Sequence, residues 1–262
     1  MTSRYFREAL RFIAVMSPFI MFALLYNSMR YFPNYLFNDI DTEGVYQLEK
    51  QLFGIISDGM RLTPCEYFRV HHWTWVDVLS GVFYLCWVPL PIFYCIWLFV
   101  RGQRRLSLQL STAFLFVNLI GFSGYYIYPA SPPWYVMEYG FTPILNTPGY
   151  AAGFINFDNA LNVKVFQTIY SGNANVFAAI PSLHSAYCPI ALYYACKVKH
   201  NSAWILILSV VSIGIWFSAV YSAHHYVIDV LLGILTSILG LAIFDGILLK
   251  RVPNKWYRWL QD

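Results

Sequence analysis

The chain has 262 residues, of which 58% are hydrophobic, 19% are aromatic and only 11% are charged. This composition is far more apolar than that of a soluble domain, and it predicts a single polytopic membrane domain over residues 1–262. The formal net charge of +4 is small, and the basic residues show no stripe or arginine-rich run, which excludes a nucleic-acid-binding surface. The five cysteines show no metal-ligand or disulfide spacing.

The chain begins with a short basic segment followed by an apolar run. Three arginines precede the run: Arg4, Arg7 and Arg11. We interpret the run, at about residues 12–29, as an uncleaved membrane anchor, with a signal sequence as the alternative. Met21, Phe22 and Tyr26 are bulky where a cleavage site needs small residues, which favours the anchor.

A more polar segment, residues 30–77, follows the anchor. Within it, four apolar residues recur at helical spacing: Val45, Leu48, Leu52 and Ile55. This pattern predicts an amphipathic helix that lies at the membrane surface.

Five further apolar runs predict membrane-spanning helices. They lie at about residues 78–100, 106–128, 184–198, 202–221 and 226–249. Pro89 and Pro91 should kink the first of these helices, because proline removes a backbone donor and clashes with the preceding turn.

The connection between the third and fourth predicted spans, residues 129–183, is rich in Gly, Asn and Pro. It opens with Pro129-Ala130-Ser131-Pro132-Pro133-Trp134-Tyr135, where consecutive prolines end the preceding helix. The connection is longer than a structureless loop in a compact protein, which predicts a functional cap. The predicted fold class is therefore an all-α integral membrane protein with six transmembrane helices, an interfacial amphipathic helix and a long cap loop.

The distribution of basic residues predicts how the chain is oriented in the membrane. Twelve of the 17 basic residues fall in the N-terminal segment, two short loops and the C-terminal tail: Arg4, Arg7, Arg11, Arg101, Arg104, Arg105, Lys197, Lys199, Lys250, Arg251, Lys255 and Arg258. Both termini are therefore predicted to be cytoplasmic. Segments 30–77, 129–183 and 222–225 are then non-cytoplasmic, facing a bacterial periplasm or the lumen of a eukaryotic endomembrane.

A polar cluster stands at the start of the last apolar run. His225 and Asp229 are spaced i,i+4, so on a helix the carboxylate can accept a hydrogen bond from the imidazole. Ionisable residues at the mouth of a membrane helix favour a functional site in a hydrated cavity. An interfacial histidine beside a capping aspartate is the structural alternative.

A second cluster, ending in Pro181-Ser182-Leu183-His184-Ser185, stands at the start of the fourth predicted span. Ser182 is a candidate N-cap, and the free amides of a helix start could bind an anion beside His184. The predicted topology brings His184, His225 and Asp229 to one membrane face. Such a set suits nucleophilic catalysis on phosphorus: His225 attacks, Asp229 orients it, and His184 manages the leaving group's proton.

These residues resemble a known enzyme family. Pro181-Ser182-x-His184 and His225-x3-Asp229 are similar to the second and third signature motifs of the type 2 phosphatidic acid phosphatase superfamily, a six-helix membrane fold. Within it, the stretches at 129–135, 177–185 and 224–229 resemble the inositol phosphorylceramide synthase branch most closely. The resemblance spans roughly residues 45–235.

The chain departs from the phosphatase members of that superfamily in its basic residues. Those phosphatases carry a first motif K-x6-R-P and an arginine after the serine of the third motif, whereas here Ala219 follows Ser218. Fewer cations favour a singly charged phosphodiester over a phosphomonoester. Five residues are candidates for binding the substrate: Ser182, Tyr226, Lys164, Trp134 and Tyr135.

The resemblance implies a phospholipid head-group transferase. It would move phosphoinositol, or a similar group, from a phosphatidylinositol-like donor to the primary hydroxyl of a ceramide through a phosphohistidine, releasing diacylglycerol. No cofactor is expected, and no metal, because zinc-ligand spacing is missing from the sequence. The alternatives are a lipid phosphatase or hydrolase of the same superfamily, a phosphocholine transferase resembling sphingomyelin synthases, and a non-enzymatic transporter or scaffold.

Overall fold

The structure is a computed structural model that describes residues 2–198, 202–253, 257 and 259, with side chains from residue 5 onward. It consists of helices with one small hairpin. The helices are α1 (Thr2–Ser28), α2 (Gly44–Phe53), α3 (Pro64–Val70), α4 (Thr74–Leu85), α5 (Pro89–Val100), α6 (Arg104–Ile127), α7 (Pro133–Tyr139), α8 (Ile155–Leu161), α9 (Val165–Ser171), α10 (His184–Lys197), α11 (Ser202–Tyr221), α12 (Val227–Ile243) and α13 (Leu249–Arg251). Strands β1 (Ile55–Ser57) and β2 (Met60–Leu62) pair antiparallel, with Ile55 opposite Leu62.

Several of the described helices are long and apolar enough to cross a membrane. Four pass by length and composition: Tyr5–Ser28, Arg104–Ile127, Ser202–Tyr221 and Val227–Arg251. Helices α4 and α5 form a fifth if they are one span, bent by 45° at a break that ends at Pro89. These helices confirm the prediction of an all-α, multi-pass membrane protein.

The fourth predicted span, residues 184–198, corresponds to α10, which has only 14 residues. At about 1.5 Å per residue this helix covers roughly 21 Å, less than the roughly 30 Å of a bilayer's hydrocarbon core. Six spans therefore stay a prediction, as does the cytoplasmic location of both termini. Among the residues that carry the orientation argument, Lys199, Lys255 and Arg258 lie outside the described residues, and the side chain of Arg4 is not described.

Helix α10 lies at the centre of the bundle, in contact with α5, α6, α11 and α12. Its residues Ala186, Ile190, Ala191 and Tyr194 are completely buried. Close packing on several sides fixes both the axis and the rotation of this helix. The position of His184, its first residue, is fixed with it.

Residues 129–183 are folded in the structure and contain the short helices α7, α8 and α9. Ala130 N donates to Phe177 O (3.0 Å), so the two ends of the segment pair with each other. Its aromatic residues Trp134, Phe154 and Phe166 pack with Tyr226 in a second hydrophobic core. The segment therefore packs directly against the turn before α12.

The helical pattern predicted in residues 45–55 corresponds to α2, which ends at Phe53. Ile55 belongs to β1 instead, in a hairpin that the sequence pattern did not predict. Within α2, Val45 is buried in the protein, whereas Leu48 and Leu52 are exposed. Membrane-surface binding by this helix stays a prediction.

Candidate active site

The starts of α10 and α12 lie next to each other. Ser182 N donates to Asp229 O (3.0 Å), which ties the turn before α10 to the first turn of α12. The two segments approach closely at Gly233, where an added Cβ would lie 2.0 Å from Ser182 O and 3.2 Å from Ser185 Cβ. Only a residue without a side chain fits there.

The three residues predicted to be catalytic meet at this junction. His184 Nδ1 lies 3.2 Å from His225 Nε2, and His225 Nδ1 lies 3.4 Å from Asp229 Oδ2. The pair at 225 and 229 has the i,i+4 spacing expected from the sequence. A single hydrogen-bonded chain thus joins two imidazoles to one buried carboxylate.

Ser182, the predicted N-cap of α10, does not cap that helix. The cap position is Leu183, and no side-chain hydrogen bond caps the helix there. A backbone turn precedes the helix instead, with Ser185 N donating to Ser182 O (3.2 Å), while Ser185 Oγ donates to Ser182 Oγ (3.1 Å). Because the Ser182 hydroxyl is engaged in this turn, it is not bonded to the backbone N–H groups at the helix start.

Two carboxylates cap the start of α12. Asp229 Oδ2 accepts from Tyr226 N (2.9 Å), and Glu49 accepts from Val227 N through Oε1 (2.9 Å) and from Ile228 N through Oε2 (3.2 Å). Negative charge is favoured at this end of a helix. The two carboxylates therefore hold the first turn of α12, and with it the positions of His225 and Asp229.

Glu49 is completely buried, and the sequence analysis did not identify it. Burial raises the pKa of Glu49 to about 7; the two backbone N–H groups oppose this shift, and the charge of Asp229 adds to it. The available signal was the i,i+4 spacing of Val45 and Glu49. Both residues lie on the buried face of α2, while the leucines of the pattern face outward.

Burial sets the protonation state of His224 and His225, and their hydrogen-bond partners set which ring nitrogen carries the proton. Burial lowers the pKa of His225 and of His224 to about 3, so both imidazoles are neutral at physiological pH. With its Nδ1–H directed to Asp229, His225 keeps a lone pair on Nε2, the form required of a nucleophile. His224 Nε2 instead donates to Ala151 O (2.9 Å), and its ring stacks on Tyr170 at 4.2 Å, a structural arrangement.

His184 is held by aromatic rings. Its imidazole lies 5.0 Å from the Tyr84 ring and 4.4 Å from the Trp87 ring, measured between centroids. Tyr84 lies at the end of α4, and Trp87 lies between α4 and α5. Their packing restricts the motion of His184 and excludes water from two sides of the ring.

A cavity of about 150 Å³, which we call the histidine cavity, opens onto this junction. Its lining includes His184, His224 and His225, together with Tyr26, Trp87, Trp134, Tyr170, Asn173, Asn175 and Val176. Trp134 is the predicted substrate-binding residue that contributes to this lining. Among the described residues, no group of three His, Cys, Asp or Glu side chains could hold a metal ion.

The other predicted substrate-binding residues lie elsewhere. Tyr135 is buried, and its hydroxyl donates to Thr142 O (3.0 Å) and accepts from Ile144 N (2.7 Å). Ser182 and Tyr226 are also buried, whereas Lys164 is exposed just before α9. A binding role for these four residues stays a prediction.

Comparison with known proteins gives a consistent set of matches. The family model described as the PAP2 superfamily matches residues 63–243. The chain is 54% identical over 233 residues to the phosphoinositol dihydroceramide synthase of Bacteroides thetaiotaomicron, covering 89% of this chain and 76% of that protein.

Two fungal proteins are more distant. The inositol phosphorylceramide synthase of Candida albicans is 28% identical over 180 residues, covering 65% of this chain and 37% of that protein. The catalytic subunit of the inositol phosphorylceramide synthase of Saccharomyces cerevisiae is 27% identical over 252 residues, covering 93% and 57% respectively. The chain thus spans less than two thirds of either fungal protein. No solved structure matches the chain significantly.

Proposed function

The chain belongs to the PAP2 superfamily, and we propose that it transfers phosphoinositol from a glycerophospholipid to the primary hydroxyl of a ceramide. The observation that carries the proposal is the hydrogen-bonded chain of His184, His225 and Asp229 beside the histidine cavity. Similarity to a protein named phosphoinositol dihydroceramide synthase supports the choice of donor head group and acceptor.

The first half-reaction forms a covalent intermediate. His225 Nε2 attacks the phosphorus of the donor, and the bond from phosphorus to the diacylglycerol oxygen breaks. His184 acts as the imidazolium, which the negative charge of the bound donor phosphate favours; it gives its proton to the departing oxygen and becomes neutral, while Asp229 accepts the Nδ1–H of His225 and stabilises its positive charge. Since His184 and His225 contact each other, the donor phosphate enters by separating these two rings.

The second half-reaction transfers the head group. His184 takes the proton from the ceramide hydroxyl, the oxygen attacks phosphorus, and the bond between phosphorus and His225 Nε2 breaks. Both histidines return to their starting state, and ping-pong kinetics follow because one site serves two lipids in turn.

We also propose an orientation of the protein in the membrane. We propose that α10 is the fourth of six spans and that both termini are cytoplasmic. The histidine cavity then lies on the non-cytoplasmic face under residues 129–183, which act as the cap. Ser182, Tyr226, Lys164 and Tyr135 are kept as substrate-binding candidates. With Ala219 where the superfamily's phosphatases carry arginine, the site suits a singly charged diester.

The proposal can be tested by asking whether product formation requires ceramide as the acceptor. Purified protein in lipid nanodiscs, given phosphatidylinositol labelled in the inositol ring, should form labelled ceramide product only when ceramide is present. His225→Ala and His184→Ala should abolish the product. With labelled phosphate in the donor, an acid-labile label on the protein should appear before ceramide is added and disappear afterwards.

Other outcomes would select other functions. Release of inositol phosphate without ceramide would indicate a hydrolase. Product from phosphatidylcholine but not from phosphatidylinositol would indicate a phosphocholine transferase. Unchanged lipid conversion in both histidine variants would remove the proposed catalytic site.

A further inference from the structure

A second cavity adjoins the histidine cavity. It has a volume of about 270 Å³, and both cavities are lined by Asn173, Asn175 and Val176. Most of its other lining comes from the segment after α1 and from residues 146–149, including Arg30, Tyr35, Asn146 and Thr147. The two cavities therefore meet along one short stretch of chain just before Phe177.

The second cavity is polar and carries a positive charge. Arg30, Asn146, Thr147, Ser171 and Asn173 all line it. Among the described residues that line either cavity, Arg30 is the one with a permanent positive charge. The chain lacks the arginine that the phosphatases carry after the serine of the third motif. Arg30, just after α1, places a different cation beside the site.

Hydrogen bonds hold these polar groups in place but leave donors available. Arg30 donates through Nη2 to Gly172 O (2.9 Å), which positions the guanidinium and uses one of its five N–H groups. Tyr26, one helical turn before Arg30, donates to Asn173 Oδ1 (2.7 Å). Among the described residues, no partner takes the amide nitrogen of Asn173.

One wall of the second cavity is rigid. Asn175 donates through Nδ2 to Asn34 Oδ1 (2.6 Å) and accepts from Phe177 N (3.0 Å). Asn34 is completely buried, and its own Nδ2 donates to Tyr125 O (2.7 Å). A wall fixed in this way is suited to recognising a ligand without rearrangement.

We propose that the second cavity is the head-group subsite, which binds the polyol ring of the donor while its phosphate reaches the histidine cavity. The proposal rests on the function proposed above and adds Arg30 as a specificity-determining residue. Amide and guanidinium groups can form hydrogen bonds with the hydroxyls of such a ring. The volume of the cavity is slightly smaller than the roughly 300–1,000 Å³ of pockets that bind drug-sized ligands, which suits a single small ring. A cationic choline head group would be repelled by Arg30.

Arg30→Gln tests the subsite, with Arg61→Gln as the matched control. Arg61 is also exposed and also donates to a backbone carbonyl, that of Gln51 at 2.6 Å, but it lies on the hairpin. Arg30→Gln should raise KM for phosphatidylinositol about 10- to 100-fold, the loss expected for charge-assisted hydrogen bonds, and leave KM for ceramide within twofold. Arg61→Gln should leave both values within twofold.

A binding measurement separates the subsite from the reaction. Wild-type protein in nanodiscs should bind radiolabelled inositol 1-phosphate in equilibrium dialysis, Arg30→Gln should bind at least tenfold more weakly, and Asn146→Ala should weaken binding as well. Equal binding by wild type and Arg30→Gln, or no binding by wild type, would overturn the subsite. Binding that depends on Arg30 without any transfer to ceramide would retain the subsite and overturn the proposed reaction.

Discussion

Two aspartates lie near opposite ends of the same membrane-spanning helix, Val227–Arg251. Just beyond the end of α12, Asp245 accepts from three residues near the end of α10: Tyr193 Oη at 2.6 Å, Tyr194 Oη at 3.3 Å and Lys197 Nζ. At the near end, Asp229 Oδ2 accepts from Tyr226 N at 2.9 Å and lies 3.4 Å from a neutral imidazole. Its Oδ1 is buried without a partner among the described residues.

The difference is the one expected between a structural carboxylate and a catalytic one. Asp245 has a cation and two hydroxyls, so both of its oxygens are compensated where they lie. Asp229 has neither, and a buried carboxylate left with an unpaired oxygen costs free energy that other contacts must offset. Around Asp229, Glu49 accepts from the backbone at the start of α12, and α12 approaches Ser182 closely at Gly233.

Asp229→Asn should have the largest effect on catalysis. An amide can still accept from Tyr226 N, but it neither fixes the Nδ1–H tautomer of His225 nor stabilises the charge that develops there. We expect kcat for head-group transfer to fall about 1,000-fold, because the nucleophile is held in the wrong tautomer. The thermal midpoint of the purified protein should change little, and a loss of kcat below tenfold would assign Asp229 a structural role like that of Asp245.

Gly233→Ala should have the second-largest effect on catalysis. The added methyl would lie 2.0 Å from Ser182 O, so α12 must move away from the turn that precedes His184. A displacement near 1 Å costs about 100-fold in rate, and overpacking costs about 1–3 kcal/mol of stability. Both transfer activity and the thermal midpoint should fall.

Gly246→Ala is the matched control for that change. Gly246 lies on the same span, yet an added Cβ there would meet nothing within 4 Å. Its activity and midpoint should stay at the wild-type level. Equal losses in both variants would mean that the approach of α12 to Ser182 does not set the geometry of the site.

The sequence predicted the residues at the near end because their spacing is local and their chemistry is rare in a membrane span. His225 and Asp229 are one helical turn apart, and two apolar runs of the right length were enough to bring His184 to the same side. Glu49 was missed because its partner is a helix start 178 residues away, which no local pattern encodes.

The fold was predicted less completely for related reasons. Apolar length identifies a span only when the helix is long, whereas α10 has 14 residues and lies inside the bundle with neighbours on several sides. The pattern of apolar residues in α2 did not reveal that Val45 packs inside the protein while Leu48 and Leu52 are exposed, since hydropathy does not distinguish protein packing from an apolar surrounding. The helices within residues 129–183 are held by contacts between the two ends of the segment and with α4, which are not local in sequence.

Glu49→Gln should produce a smaller loss with a distinctive pH dependence. With a pKa raised to about 7, Glu49 is ionised above that pH, when both of its oxygens accept from the start of α12. Wild-type kcat should therefore rise with pH through about 7. The amide offers a single acceptor oxygen at every pH, so the variant should lose the dependence and stay about tenfold below the wild-type maximum, as for a weakened helix cap.

The stability of the wild type should fall as pH rises, whereas its kcat should increase. The ordinary pKa of 4.5 is lower than the folded value of about 7, so the folded protein binds more protons over this range, and ionisation of Glu49 costs stability as pH rises. The thermal midpoint of wild type relative to Glu49→Gln should fall between pH 5 and pH 8. Glu43→Gln, an exposed neighbour whose carboxylate accepts from Gln47 Nε2 (3.3 Å), is the control and should keep the wild-type profile.

Asp245→Asn should have the smallest effect, and the effect should fall on stability alone. The variant loses the ion pair with Lys197, whose side chain is 33% exposed. The two tyrosines donate to different oxygens of Asp245, so the amide oxygen keeps one of these hydrogen bonds and the amide nitrogen can donate to the other hydroxyl. A partly exposed ion pair is worth about 1 kcal/mol or less, and salt screens it, so the thermal midpoint should drop slightly and the drop should shrink in high salt. Head-group transfer should stay within twofold of wild type, because the start of α10 is fixed by its own packing. A kcat loss approaching that of Asp229→Asn would mean that the two ends of the helix pair are coupled, and that Asp245 positions His184 through α10.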